Sequence, residues 1–172
     1  VKELTYKYVS YKKFLRWFKL NCERFKKPAK QVFYLSIQQK KYMNDLSKVK
    51  KIIVKKPLKL DCGQEISNFP LAYETYGKLN ENKDNAILVF HALTGDQFAS
   101  GINPITKKDG WWKHALGPGK AFDTEKFFVI SANVIGGCMG SYGPSTICEN
   151  TNKPLGTDFP IITINDMVNA QY

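Results

Sequence analysis

The sequence predicts an α/β fold, in which helices pack on a sheet of buried strands. Two short apolar runs, AILVF at 86–90 and KFFVISANV at 126–134, have the length and the continuous hydrophobicity of buried strands. A helix-start signal follows at Thr163 and Asp166, where a threonine precedes an acid by three residues. Strands, loops and a helix in this order indicate a sheet whose chemistry collects at the carboxyl ends of its strands.

Charge divides the 172-residue chain into two parts. The formal net charge is +11, but residues 1–60 carry a net charge of +15 and residues 61–172 a net charge of −4. The basic character therefore belongs to the first part alone. We predict a basic, aromatic-rich extension at 1–56 and the α/β domain at 57–172.

The extension allows several interpretations. Phe14, Trp17 and Phe18 have the spacing of a short amphipathic helix, and a second helix is predicted from about Gln31 to Lys51. A basic amphipathic helix can lie on an anionic membrane, and lysines interleaved with aromatic residues can bind single-stranded nucleic acid. The segment can also cover a surface of the following domain or remain a poorly ordered extension.

The second part alternates turn residues with short β-rich runs. Phe69–Tyr76 is a predicted strand and Asn80–Asn85 a polar turn. A short helix is predicted around Trp111–Leu116, and a long Gly- and Pro-rich loop from Val134 to about Pro160.

Cysteine and histidine usage predicts no metal site. The two histidines and the lack of a CxxC pair are unlike a zinc site. The N-terminal residues do not have the pattern of a signal peptide, and no apolar run is long enough to span a bilayer. We therefore expect free thiols in a cytoplasmic protein. The cysteines are Cys22, Cys62, Cys138 and Cys148.

The loop after the first apolar strand, His91 to Asp96 (HALTGD), suits an oxyanion hole. In α/β-hydrolases a backbone N–H of the corresponding loop stabilises the negative oxygen of a tetrahedral intermediate, which is worth about 3 kcal/mol. Leu93 is the candidate donor, and Thr94 could offer its hydroxyl to the substrate. His91 precedes any nucleophile, whereas the catalytic His of this fold comes last, so we predict that His91 braces the turn. A structural role is also predicted for His114.

The glycine-rich loop contains an apparent nucleophile, Ser141, in the sequence MGSYG. It has Met139 where a nucleophile elbow has glycine, and Pro144 prevents a helix from starting directly after it. Cys138 has no basic neighbour in the sequence to activate its thiol. The sequence therefore predicts a structural or channel-lining loop rather than a source of the nucleophile.

Five blocks in order resemble the homoserine O-acetyltransferases, a family of α/β-hydrolase-fold acyltransferases in methionine biosynthesis. Each block alone is modest, but the ordered set is highly specific. The blocks are FPLAYETYGKLN at 69–80, HALTGD at 91–96, GWW at 110–112, GPGKAFDTEKFFVISANVIGGCMGSYGPS at 117–145 and FPIITINDMVNAQ at 159–171.

The resemblance implies an incomplete α/β-hydrolase fold, with the first strands and loops of the sheet in this chain. It implies acetyl transfer from acetyl-CoA to the hydroxyl of L-homoserine through an acyl-serine intermediate. Leu93 matches the oxyanion N–H position, and Ala92, Thr94 and Gly95 match positions linked to substrate preference. The Ser/Asp/His triad of the family would lie beyond Tyr172, so we expect a fragment without activity of its own.

The resemblance also implies a cytoplasmic homodimer when full length, with small-molecule substrates and no bound cofactor. We expect no metal and no nucleic acid partner, and the basic residues 1–56 leave the latter open. Two alternatives remain open. One is a serine or homoserine O-succinyltransferase of the same fold. The other is a non-enzymatic chain whose basic residues 1–56 bind a membrane or nucleic acid.

Overall fold

The computed structural model describes residues 37–38, 41–42 and 44–172. The chain divides into two compact units, Val1–Asn44 and Asp45–Tyr172. The described residues of the first unit are all helical.

The helices predicted in the extension have different outcomes. The helix around Phe14, Trp17 and Phe18 lies outside the described residues. The helix predicted to reach Lys51 is too long, because the helical residues end at 46 and Lys51 begins a strand.

The second unit contains a four-stranded mixed sheet in the order β1-β4-β8-β5, with three two-stranded pairs beside it. Strand β8 pairs antiparallel with β4 and parallel with β5. In chain order the elements are β1 (Lys51–Val54), β2 (Leu58–Lys59), β3 (Glu65–Ile66), β4 (Phe69–Tyr76), β5 (Ala86–Phe90), β6 (Leu116–Gly117), β7 (Phe122–Asp123), β8 (Phe128–Ala132), β9 (Ile147–Cys148), β10 (Lys153–Pro154), a 3-10 helix (Gly156–Asp158) and α1 (Ile164–Asn169).

The sheet includes residues that precede the predicted boundary between 56 and 57. Strand β1 pairs antiparallel with β4, with Lys51 opposite Ala72 and Val54 opposite Phe69. The position of the boundary stays a prediction.

Strand β4, predicted over the same residues, has partners along both of its edges. Its first half faces β1 and its second half faces β8, with Tyr73 opposite Ala132. Along the first half of β4, on the edge that faces away from β1, the loop after β8 takes the place of a strand. There the Asn133 N–H donates to Ala72 O at 2.8 Å, and the Tyr142 N–H donates to Pro70 O at 2.7 Å. The backbone of a buried strand therefore remains paired where β8 has ended.

Two apolar clusters lie on opposite faces of the sheet, because side chains alternate along a strand. One contains Phe69 and Leu71 of β4 and Ala132 of β8. The other contains Val129 of β8 and Val89 of β5. Among the described residues, these clusters join the β2–β3 and β6–β7 pairs and α1 to the sheet.

The prediction that β5 is a buried strand is wrong for most of its length. Val89 is buried, but Leu88 and Phe90 are 41% and 47% exposed. Strand β5 lies at one edge of the sheet, and within the described residues it pairs only with β8. A continuous apolar run predicts a strand with both faces buried. In the described part of the chain, only one face of β5 is covered.

The helix predicted around Trp111–Leu116 is also wrong, because residues 111–115 form turns and Leu116 begins β6. The backbone here makes turn bonds within the segment, such as the Leu116 N–H to Trp112 O at 3.0 Å, and it also bonds to another segment. The Trp112 N–H donates to Ala99 O at 2.7 Å, and Leu116 O accepts from the Ser100 hydroxyl at 2.9 Å. The loop predicted up to Pro160 contains the β9–β10 hairpin and the 3-10 helix.

Helix α1 begins at the predicted signal. The Thr163 hydroxyl accepts from the Asp166 N–H at 3.2 Å, and the Asp166 carboxylate accepts from the Thr163 N–H at 2.8 Å, which forms a capping box. The second Asp166 oxygen accepts from the Asp61 N–H at 2.9 Å. This fully buried carboxylate therefore joins α1 to the turn after β2.

We expect replacement of Asp166 to change the pH dependence of stability. Desolvation raises the pKa of this carboxyl, but the N–H donors of Thr163 and Asp61 outweigh it, and the pKa lies below its ordinary value. A depressed folded pKa gives stability that is present above the unfolded pKa, about 4, and is lost as pH falls. Asp166→Asn should therefore lower the free energy of urea unfolding at neutral pH, and the difference from the wild type should shrink in acid.

The matched control is Asp158→Asn, which changes an exposed carboxylate. Its free energy of unfolding should follow the wild type over the same pH range. A difference between Asp166→Asn and the wild type that stays constant from neutral pH into acid would contradict the expected role of Asp166.

Candidate active site

The turn that follows β5 carries the residues predicted to bind the reacting oxygen. The Gly95 N–H donates to Ala92 O at 2.8 Å and closes the turn. Leu93 lies at its tip with its side chain 94% exposed, and Thr94 is exposed beside it. No hydrogen bond from the Leu93 N–H is found among the described residues. The predicted donor is therefore placed where its N–H can meet another molecule.

Asp96 anchors the far end of this turn. Its carboxylate accepts from the Phe98 N–H at 2.8 Å and from the Asn103 amide at 2.9 Å. Its carbonyl accepts from the Trp111 indole at 2.8 Å. Desolvation by burial raises the pKa of Asp96 and outweighs the hydrogen bonds from Phe98 and Asn103, which lower it. The GWW block thus supports the HALTGD block.

His91 connects the turn to the end of β8. Its Nδ1 lies 2.8 Å from Ala92 O. Its Nε2 accepts from the Val134 N–H at 3.2 Å and lies 3.2 Å from the Asn133 amide nitrogen. Parallel pairing of β5 with β8 brings these residues together, since the carboxyl ends of the two strands meet at one edge.

Asn133 and Gln97 are buried site residues that the sequence analysis did not identify. The Met139 N–H donates to Asn133 Oδ1 at 3.3 Å, and the Gln97 amide donates to Met139 O at 2.9 Å. These two amides hold the loop after β8 against the turn after β5. Asn133 lies inside the apolar run at 126–134 that was predicted as a strand, so no local pattern marked it as a site residue.

The Ser141 hydroxyl takes the place of a carbonyl group that a neighbouring strand would offer to β4. The Ser141 side chain is buried, its hydroxyl donates to Asn133 O, and its Oγ accepts from the Ala72 N–H at 2.9 Å. The hydroxyl pairs a β4 amide that β8 does not reach. This engagement explains why a serine occupies the position without a nucleophilic role.

The two remaining candidate groups lie at the surface. His114 and Cys138 are exposed. Neither histidine ring is hydrogen-bonded to a Ser, Thr or Cys side chain in the described part of the chain. Over the same residues, no three His, Cys, Asp or Glu side chains are grouped as metal ligands, and no helix has the length and apolarity to cross a membrane. The site therefore offers a polarising N–H and a shaped turn.

Known proteins similar to this chain are homoserine O-acetyltransferases. The protein of Pelagibacter ubique is 75% identical over 130 residues, which is 76% of this chain and 35% of the relative. The protein of Rhodopseudomonas palustris is 61% identical over 115 residues, which is 67% of this chain and 29% of the relative. The chain thus spans about a third of the length of these relatives. No family model matches.

Solved structures agree. A homoserine O-acetyltransferase from Bacillus anthracis has 32% identity and a TM-score of 0.64. Esterase E22 has 35% identity and a TM-score of 0.61. Each match covers 72% of this chain and 35% of the solved chain. The predicted resemblance and the incomplete α/β-hydrolase fold are therefore confirmed.

Replacement of Ser141 should cost stability. Ser141→Ala leaves the buried Ala72 N–H without its partner, so we expect the free energy of unfolding to fall by about 1–3 kcal/mol. Ser145→Ala, at an exposed serine in the same loop, is the control and should change it by less than about 0.5 kcal/mol. Equal unfolding midpoints for the two variants in urea would contradict the structural role of Ser141.

A methyl group at Gly95 should distort the turn. It would lie 2.8 Å from His91 Cβ and 3.2 Å from Ala92 O, both closer than van der Waals contact. We expect Gly95→Ala to destabilise the chain by about 1–3 kcal/mol, as overpacking does, and to shift the NMR signals of residues 91–96. Thr94→Ala, at an exposed position of the same turn, is the control. Unchanged stability and spectra for Gly95→Ala would show that the turn does not pack on His91.

Proposed function

We propose that this chain forms the N-terminal part of a homoserine O-acetyltransferase, which moves an acetyl group from acetyl-CoA to the hydroxyl of L-homoserine. The observation that carries the proposal is the 75% identity over 130 residues with the curated enzyme of Pelagibacter ubique. Identity at this level extends through loops as well as the core, and loops carry the functional residues of a fold.

In this proposal Leu93 acts through its backbone. Attack on the thioester gives a tetrahedral intermediate with a negative oxygen, and a fixed N–H that points at this oxygen stabilises it by about 3 kcal/mol. The exposed turn at the carboxyl end of β5 supports this role, as does the absence of another partner for the Leu93 N–H among the described residues. The exposed apolar side chain does not take part in the chemistry.

The acyl-serine mechanism requires groups from the part of the relatives that this chain does not span. A serine would attack acetyl-CoA, CoA would leave, and the homoserine hydroxyl would take the acetyl group. The resemblance assigns the nucleophile, its base and the orienting acid to that part. Within this chain we propose that Ala92, Thr94 and Gly95 shape the acyl and acceptor site. Acetyl-CoA acts as a co-substrate, and no bound cofactor is required.

Three further properties rest on the resemblance. They are a role in methionine biosynthesis, a homodimer in the complete enzyme and a cytoplasmic location. The possibility that residues 1–56 bind a membrane or nucleic acid stays a prediction, because residues 1–36 lie outside the described part of the chain.

An acetyl-ester hydrolase is the second candidate function. Esterase E22 is similar in structure at 35% identity, close to the 32% of the Bacillus anthracis transferase. A hydrolase uses the same acyl-enzyme step but gives the acetyl group to water. The identities of 55–75% with curated acetyltransferases favour the transferase.

A chimeric enzyme tests the proposal. The matched 130 residues of this chain would replace the corresponding segment of the Pelagibacter ubique enzyme. We expect the chimera to release CoA from acetyl-CoA in a homoserine-dependent reaction, with kcat within about tenfold of the parent, because the two segments are 75% identical. The kcat/KM for acetyl-CoA should exceed that for succinyl-CoA.

Two outcomes would count against the proposal. A chimera folded by circular dichroism that transfers no acetyl group would reject it. Release of CoA at the same rate with and without homoserine would favour the hydrolase instead. The parent enzyme without its matched segment is the control, and it should be inactive.

A further inference from the structure

We propose that His91 and Asn133 are positioning residues that fix the direction of the Leu93 N–H. The catalytic consequence rests on the proposed function, but the geometry does not. The inference begins from the hydrogen bonds of the His91 ring, which use both of its nitrogens.

The neighbours of the ring determine its tautomer. A carbonyl oxygen can only accept, so Nδ1 carries the proton and donates to Ala92 O. A backbone N–H can only donate, so Nε2 has a lone pair that accepts from Val134. His91 is therefore a neutral imidazole with its proton on Nδ1. Neither nitrogen is left to act as a general base.

The peptide group between Ala92 and Leu93 transmits this restraint. Its carbonyl and its N–H lie in one plane and point in opposite directions, because the peptide bond is planar and trans. Ala92 O accepts two hydrogen bonds, from the His91 ring and from the Gly95 N–H, each at 2.8 Å. Two donors that hold the carbonyl inward therefore direct the Leu93 N–H outward, towards the position of a reacting oxygen.

Asn133 reinforces this tautomer of His91. Its Oδ1 accepts from the Met139 N–H at 3.3 Å, which leaves Nδ2 facing His91 Nε2 at 3.2 Å. The side chain is buried, with 1% exposed, so its amide cannot exchange these partners for water. Nε2 thus faces two N–H donors, and a proton on Nε2 would be repelled by both. The loop after β8 is coupled in this way to the turn after β5.

The first experiment uses the chain itself. Nitrogen-15 NMR distinguishes a protonated ring nitrogen from one that carries a lone pair. We expect a protonated Nδ1 and an unprotonated Nε2 for His91 at neutral pH. Asn133→Asp replaces the donor by a carboxylate oxygen and should favour a proton on Nε2. A proton on Nε2 in the wild-type chain would overturn the proposal.

The second experiment uses the chimeric enzyme and tests the hydrogen bonds of the two His91 ring nitrogens separately. Asn can imitate the Nδ1 donor and keep the bond to Ala92 O, whereas Gln can imitate the Nε2 acceptor and keep the bond to Val134. His91→Gln should lower kcat about tenfold to a hundredfold, since a lost oxyanion donor costs 10²–10³. His91→Asn should retain most of kcat. The KM for acetyl-CoA should change little in either variant, because the N–H acts mainly in the transition state.

The control is His114→Gln, at the exposed second histidine, which should leave kcat unchanged. Equal losses in His91→Gln and His91→Asn, or values of kcat per folded enzyme within twofold of the wild type in both, would overturn the proposal. A purely stabilising role would lower the melting temperature without the difference in kcat.

Hydrolysis of p-nitrophenyl acetate separates this proposal from the proposed function. Ester hydrolysis passes through the same kind of oxyanion without homoserine. If the chimera hydrolyses the ester but does not acetylate homoserine, the proposed function fails. The ratio of kcat for ester hydrolysis in His91→Gln and His91→Asn then still tests the positioning role of His91. If the chimera does neither reaction, the NMR result for His91 tests that role.

Discussion

The whole sheet depends on the need of strand β4 for hydrogen-bond partners along both edges. A buried amide or carbonyl without a partner costs about 1–3 kcal/mol, so a central strand eight residues long cannot be left half paired. β1 and β8 each cover half of β4, and they cover opposite edges. Where β8 has ended, the glycine-rich loop supplies backbone groups and the hydroxyl of Ser141. The path of that loop is therefore set by the backbone of β4.

The same path places the candidate site. Because the loop must remain beside β4, Asn133 and Val134 stay at the carboxyl end of β8, next to the end of β5. His91 then joins the two strand ends, and the turn that carries Leu93 closes over it. An oxyanion hole needs donors that are in place before the charge develops. A turn supported by sheet pairing and a buried amide meets this requirement better than a free loop.

Sequence signals predicted the elements whose causes are local. The capping box of α1 depends on residues three apart, and β4 has a β-rich run ended by Gly77, whose φ of +79° favours glycine. The predictions that failed concern segments whose structure depends on tertiary contacts. The turns at 111–115 are tied to Ala99 and Ser100 by bonds that a continuing helix would not make, and the exposure of β5 follows from its edge position. The roles of Asn133 and Gln97 needed knowledge of which segments meet, which no local pattern contains. The HALTGD turn was found because its position after an apolar strand is itself a local signal.

The strand order has a consequence for how the sheet forms during synthesis. β8 lies between β4 and β5 but follows both in the chain. Neighbouring strands are about 4.8 Å apart, so in the finished sheet β4 and β5 lie about 10 Å apart and cannot pair with each other. Until β8 arrives, each presents an unpaired edge to the solvent, and such edges recruit other chains. Closure of this sheet is therefore a late and nonlocal step, of the kind that slows folding and increases the need for chaperones.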